Sequence, residues 1–287
     1  MLGQEIIMYS SSLFNKLWVV ESLSEGDLCE NYKDGDEIFI FGFSRGAAIG
    51  RMLACKIFEK GINEHIPKIK FVGVWDTVAS IGVPNLKDSS RPISDCVFEN
   101  GTIAENIVKA VHLIAIDETR KAFRPVLMNI SDRVEEVWFA GVHSDVGGGY
   151  RLDGLSDVSL AFMMKRAVKE GLCFISEDEI EYANLKGEKG EVIEKEDVAV
   201  KPDLKTKVHE HKRDGKKAAL TLAPRNIVKV LKDKPTSDHI PVIHHSVIER
   251  CKIKPGYRPR NLVGVKHIVL DKDDTLKEYG GLENHEV

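Results

Sequence analysis

The chain has 287 residues, 43% of them hydrophobic, which is enough for one large core or two small ones. Its formal net charge of −4 is mild and gives no field that would recruit nucleic acid. No apolar run reaches the roughly 18 residues of a transmembrane helix, and residues 1–12 lack the pattern of a signal peptide. The five cysteines are scattered without a CxxC pair, which argues against a disulfide framework or a metal knuckle and favours synthesis in a reducing, cytoplasmic compartment.

Strands and helices are expected to alternate along the chain. Residues 1–34 are expected to form helix and loop. Apolar runs and helical spacing then predict, in chain order, a strand at 37–43, a helix at 45–60, a strand at 69–75, a helix at 102–116, a strand at 134–140 and a helix at 156–170. This alternation is typical of the α/β class, with a mostly parallel sheet flanked by helices.

Composition changes after the last of these helices. Residues 176–217 are acidic first, basic later and poor in aromatic side chains, which predicts a charged, solvated and partly mobile insertion. An alternative role for its basic part is contact with lipid headgroups. The catalytic core is expected at 35–175, its continuation at 218–275 and a frayed tail at 276–287.

The motif Gly42-Phe43-Ser44-Arg45-Gly46 lies between a predicted strand and a predicted helix. A serine on such a sharp turn exposes its hydroxyl, and small residues on both sides let strand and helix approach closely. GxSxG alone is a weak signal, and the strand–turn–helix context strengthens it. We therefore predict that Ser44 is a nucleophile, with Gly42 and Gly46 supporting the turn; the alternative is a tight turn with a capping serine.

A serine nucleophile needs a base and an acid that orients the base. Asp76 follows the strand at 69–75, and His143 follows the strand at 134–140, so both are expected at the same edge of a parallel sheet as Ser44. Considered alone, Asp76 could equally be a residue that caps a helix or turn. Considered alone, His143 could equally be a buried structural histidine. Asp145 competes for the orienting role, but its closeness in sequence to His143 favours a role in supporting the loop.

The tetrahedral intermediate of acyl transfer requires an oxyanion hole. The backbone N–H of Arg45, directly after the nucleophile, is the first predicted donor. Residues 1–36 show no convincing strand with a glycine-rich loop to provide the second. No histidine lies at a metal-ligand spacing, so neither a metal nor another cofactor is expected.

Several segments resemble the type VI secretion phospholipase effectors, a family of the α/β-hydrolase superfamily. The most specific is Trp138-Phe139-Ala140-Gly141-Val142-His143-Ser144-Asp145-Val146-Gly147-Gly148-Gly149-Tyr150. Residues 35–47, 73–78 and 112–118 are also similar, and shorter similar stretches lie at 245–247 and 257–259. The resemblance implies an α/β-hydrolase fold and the triad Ser44, Asp76 and His143.

The same resemblance implies phospholipid acyl esters as substrates, hydrolysed in phospholipase A fashion. It also implies contact with a membrane surface, a secretion-apparatus or immunity partner, and type VI secretion. Family members have further strands before the nucleophile segment, and this chain is expected to lack them. The alternative function is therefore a truncated, non-catalytic remnant or accessory binding module.

Overall fold

A central sheet organises the part of the chain that the computed structural model describes, namely residues 4–9, 32–33, 35–78, 103–150, 154–175, 177–182, 192–211 and 214–286. The strands are β1 (Gln4–Tyr9), β2 (Glu37–Phe43), β3 (Ile69–Trp75), β4 (Ile107–Ala115), β5 (Val134–Phe139), β6 (Lys229–Leu231), β7 (Lys234–Thr236), β8 (Val242–His244), β9 (His267–Leu270) and β10 (Leu276–Tyr279). Eight form the sheet, in the order β1-β2-β3-β4-β5-β8-β9-β10, and β6 and β7 form a separate hairpin. β10 pairs with β9 antiparallel, and the other neighbours in the sheet are parallel.

Helices cover both faces of this sheet. They are α1 (Arg45–Lys60), α2 (His143–Gly147), α3 (Gly154–Lys169), α4 (Lys195–Val198), α5 (Gly215–Thr221) and α6 (His245–Ile253). Leu53 and Ile57 of α1 pack with Ile40 on one face, whereas Phe162 of α3 packs with Phe39 on the other. The α/β class is thereby confirmed. In the described ranges we find no helix with the length and apolar character to cross a bilayer.

The segment predicted as a helix at 102–116 is instead the strand β4, so that prediction is wrong. Ile107, Val111 and Ile114 fit a helical period, but β4 lies between β3 and β5 and is buried on both faces from Ala110 onward. A strand buried on both faces is apolar throughout, and its sequence loses the alternation that would identify it. His112 within it is fully buried as well.

Both ends of the chain were also predicted incorrectly. Within residues 1–34, expected to be helix and loop, Gln4–Tyr9 forms β1, and Tyr9 lies opposite Gly42 of β2. The expected tail at 276–287 contributes β10, and Leu282 is buried against the core. The sheet therefore has eight strands where the sequence indicated three.

The charged segment 176–217 is not wholly solvated. Ala199 is buried, the Lys201 N–H donates to Asp157 Oδ2 at 2.8 Å, and the Asp203 N–H donates to the Gly154 carbonyl at 3.0 Å. These bonds fix part of the segment to the start of α3. The segment has a polar composition because it lies at the surface, and its backbone N–H groups form the hydrogen bonds to α3.

A buried polar pair connects the centre of the sheet to the loop after β3. His112 Nδ1 lies 2.9 Å from Glu136 Oε1, and its Nε2 accepts the Thr77 N–H at 3.1 Å. Burial lowers the pKa of His112, so the neutral ring donates through Nδ1. Burial alone would raise the pKa of Glu136, but the hydrogen bond from His112 and the charge of Lys229 outweigh it and lower that pKa. The pair thereby holds the turn at residues 76–77.

We expect Glu136→Ala to lower the free energy of unfolding by about 3 kcal/mol, the scale for breaking a buried pair. The change leaves His112 Nδ1 and the Met128 N–H, which donates to Glu136 Oε1, without an acceptor. Urea unfolding measures the loss. Asp132→Ala, on an exposed turn before β5, is the control. Equal stabilities of the two variants would contradict the assignment.

Candidate active site

Ser44 lies on a sharp turn between β2 and α1, as the sequence predicts. Its φ of 57° and ψ of −120° are unusual for a residue with a side chain, and backbone bonds hold the turn. The Ser44 N–H donates to the Trp75 carbonyl at 3.0 Å, and the Ser44 carbonyl accepts the Val78 N–H at 3.1 Å. The end of β3 therefore fixes the position of the serine.

Two glycines allow this turn to pack closely. A Cβ at Gly42 would lie 2.7 Å from the Gly46 carbonyl oxygen and 2.8 Å from the Ala47 backbone, so this position admits only glycine. A Cβ at Gly147 would lie 2.0 Å from the Phe43 ring. The Gly147-Gly148-Gly149 run is thus in part a packing requirement.

His143 connects Ser44 to Asp76. It is the first residue of α2, just beyond β5, and its side chain is buried. Its Nε2 lies 2.8 Å from Ser44 Oγ, and its Nδ1 lies 2.5 Å from Asp76 Oδ2. With the proton on Nδ1, the ring donates to Asp76 and accepts from the Ser44 hydroxyl. The three predicted residues are therefore brought together in the arrangement of a Ser-His-Asp triad.

Aromatic rings fix the plane of this imidazole. The centroid of Phe43 lies 4.5 Å from that of His143, and the centroid of Phe123 lies 4.9 Å away in an edge-on arrangement. The backbone N–H of His143 donates to Glu118 Oε2 at 3.3 Å, and the Glu118 carboxylate also accepts hydrogen bonds from Arg120. The histidine is thus held by its backbone and on its ring faces.

Asp76 is fully buried and accepts hydrogen bonds from two residues besides His143. The Ala115 N–H donates to Oδ1 at 3.0 Å, and the Arg225 guanidinium donates to Oδ1 at 2.6 Å and Oδ2 at 2.8 Å. Burial by itself would raise the pKa of Asp76. The Arg225 charge and the His143 hydrogen bond outweigh burial and hold that pKa well below its usual range. Asp76 is therefore a carboxylate at neutral pH.

Sequence reasoning missed Arg225. It lies 149 residues from Asp76 in the chain, outside any helix or strand, and it also donates to the carbonyls of Ala115 and Phe123. Its own carbonyl accepts from Asn261 Nδ2 at 3.1 Å. No local pattern marks such a residue. A buried carboxylate at Asp76 implies a cationic partner but does not identify it.

Asp145 does not orient the imidazole. Its Oδ2 accepts the Val142 N–H at 3.0 Å and the His209 N–H at 3.1 Å, and its Oδ1 lies 2.6 Å from His209 Nδ1. It supports the loop before α2 and connects it to the charged segment. Sequence reasoning did not identify His209 as its partner.

The first N–H groups of α1 have no acceptor within the helix, and that of Arg45 lies directly after Ser44. This is the predicted position of one oxyanion donor. Contrary to expectation, residues 1–36 do contain a strand, because β1 lies beside β2. Residues 10–31, which follow β1, lie outside the described ranges, and we assign no second donor. Over the described part of the chain, no three His, Cys, Asp or Glu side chains gather as metal ligands would.

Comparison with known proteins points to one family. The model of the type VI secretion phospholipase effector Tle1-like catalytic domain matches residues 26–66 and 55–166. No curated protein matches. Two solved structures are similar: an uncharacterized protein from Pseudomonas aeruginosa (23% identity, 51% of this chain, 26% of that one, TM-score 0.37) and the Tle1 effector bound to the VgrG spike of the type VI secretion system (30% identity, 40% of this chain, 25% of that one, TM-score 0.30).

The chain thus spans about a quarter of the length of each of these two proteins. The family match covers all three residues of the Ser44–His143–Asp76 arrangement. The predicted resemblance is confirmed: across residues 26–166 this chain is similar to the catalytic domain of the Tle1-like phospholipase effectors of type VI secretion.

Proposed function

We propose that the protein is a serine hydrolase that cleaves phospholipid acyl esters in phospholipase A fashion through an acyl-Ser44 intermediate. The observation that carries this proposal is the hydrogen-bonded series from Ser44 Oγ through His143 to Asp76. A serine hydroxyl is a poor nucleophile unless a neighbouring base takes its proton. His143 Nε2 lies within hydrogen-bonding distance of that proton.

In the first half-reaction Ser44 Oγ attacks the ester carbonyl while its proton passes to His143 Nε2. Asp76 keeps Nδ1 protonated and stabilises the imidazolium, and the Arg45 N–H donates to the oxyanion. The tetrahedral intermediate then expels the alcohol, which takes the proton from Nε2, and leaves acyl-Ser44. In the second half-reaction water gives its proton to Nε2 and attacks the acyl group. The second tetrahedral intermediate then expels Ser44 Oγ, which takes the proton back from Nε2, and the fatty acid is released.

The substrate class and the partners rest on the family match. Similarity to a phospholipase effector catalytic domain supports phospholipid as the ester and action at a membrane surface. The Tle1 effector that this chain resembles is bound to the VgrG spike, and we extend that association to this protein. We further propose cytoplasmic synthesis, type VI delivery and an immunity partner, and no binding of nucleic acid.

We expect a fluorophosphonate probe to label the wild-type protein and not Ser44→Ala, because the probe reacts with an activated serine. Gel fluorescence measures the label after circular dichroism has shown that both proteins are folded. Ser144→Ala, which removes the serine next to His143, is the matched control and should label like wild type. A folded wild-type protein that takes no label would refute the enzyme and favour the accessory module.

A further inference from the structure

A cavity of about 760 Å³ lies between residues 207–211 and the C-terminal end of α6, within the usual size range of small-molecule sites. Three cationic residues line it, Lys207, Arg250 and Lys254, against one carboxylate, Glu210. Histidine and tyrosine side chains form much of the remaining wall. The fixed charges that line the cavity are therefore mostly positive.

Arg250 is buried and forms no direct ion pair with a described carboxylate. It donates to the Leu204 carbonyl and lies over the Tyr257 ring. Its Nε has no acceptor among the described residues. Asp117 interacts electrostatically with Arg250 but forms no hydrogen bond with it. Its carboxylate accepts hydrogen bonds from the Tyr257 hydroxyl and the Gly141 N–H instead. A buried guanidinium that lacks a direct ion pair and has one N–H without an acceptor is costly, and an anion in the cavity would offset that cost.

The two lysines strengthen this charge. Lys207 is exposed in the irregular segment before His209, and Lys254 directly follows α6. Neither forms an ion pair with a carboxylate in the described ranges, so both ammonium groups remain available to a ligand. Two ammonium groups and a guanidinium around one cavity are typical of a phosphate site.

The cavity wall is connected to the loop of His143. His209 lines the cavity, Tyr150 stacks on it with centroids 3.8 Å apart, and His209 Nδ1 binds Asp145. Asp145 also accepts the N–H of Val142, the residue before His143. A group bound in the cavity would therefore lie next to the element that carries the proposed base.

We propose that this cavity binds the phosphodiester of a lipid headgroup, with Lys207, Arg250 and Lys254 contacting its oxygens. The inference rests on the proposed function, because it makes the headgroup part of the substrate of Ser44. It assigns these cations to recognition of the headgroup and leaves acyl transfer to Ser44, His143 and Asp76.

The test is binding to full-length Ser44→Ala protein, which needs no turnover. Isothermal titration calorimetry with sn-glycero-3-phosphoglycerol, the deacylated headgroup of a phospholipid, is expected to give saturable binding, whereas glycerol gives none. Lys207→Ala/Lys254→Ala should weaken binding about tenfold to hundredfold, since it removes two charge-assisted contacts. Lys252→Ala, an exposed lysine of α6 that does not line the cavity, should leave binding unchanged.

Three results would overturn the proposal: no saturable binding, binding unchanged in the double variant, or tighter binding of inorganic phosphate than of the diester. The last would identify free phosphate as the ligand. Headgroup binding by a protein that takes no fluorophosphonate would refute the enzyme and leave the cavity assignment standing. Fluorophosphonate labelling without headgroup binding would refute the cavity assignment and leave the enzyme standing. Failure of the proposed function and failure of the cavity assignment are therefore distinguishable.

Discussion

Replacement of Ser44 by alanine should lower kcat for ester hydrolysis by about 10⁶-fold, the scale seen when a catalytic serine is removed. Its Oγ lies 2.8 Å from His143 Nε2, which can take the hydroxyl proton as the oxygen attacks. Fatty-acid release from a short-chain phospholipid measures the effect. KM should change far less, because the alanine removes the reacting atom and leaves the substrate contacts in place.

His143→Ala should lower kcat by about the same factor as Ser44→Ala. The double variant Ser44→Ala/His143→Ala should have a kcat no lower than that of either single variant. The serine and the histidine act as one unit, so removing the second partner of a disabled pair changes nothing further. His239→Ala, an exposed histidine far along the chain, is the matched control and should retain wild-type kcat. Additive losses in the double variant would mean that the two residues act separately.

The parts of the candidate site that depend on local sequence pattern or on the geometry of a parallel sheet could be predicted from the sequence. Ser44 was recognisable because strand, turn and helix are contiguous in the chain. Asp76 and His143 followed from the rule that parallel strands deliver their carboxyl ends to one edge, and β2, β3 and β5 do lie in one parallel sheet. The catalytic role of the three residues stays a prediction until labelling and kinetics test it.

The elements that the sequence did not reveal depend on tertiary contacts. The apolar residues of β4 fit a helix until the strand is seen to be buried on both faces. β10 is short and polar, and pairing with β9 stabilises it. Asp145 binds His209 from 64 residues away. Long-range partners of this kind have no period or spacing in the sequence that would identify them.

Arg225 is the most consequential of these partners, and Arg225→Met should destabilise the protein by about 3 kcal/mol at pH 7. The change leaves Asp76 as a buried carboxylate without its guanidinium. In the wild type the low pKa of Asp76 contributes stability that is present above the ordinary aspartate pKa and lost as the pH falls. In the variant that pKa rises, so Asp76 takes up a proton more readily and the stability deficit should shrink toward pH 4.

The same variant tests whether Arg225 tunes the reaction or only holds the fold. Arg225 donates to both Asp76 oxygens, so without it the carboxylate loses its fixed position against His143 Nδ1. At pH 7 kcat should therefore fall by up to roughly 100-fold, with a smaller change in KM. Arg225→Lys retains the charge and should restore most of kcat, whereas Arg260→Met, at an exposed position, should match wild type. A destabilised Arg225→Met protein with wild-type kcat would leave Arg225 a purely structural role, because it would show that the position of Asp76 against His143 does not depend on the guanidinium.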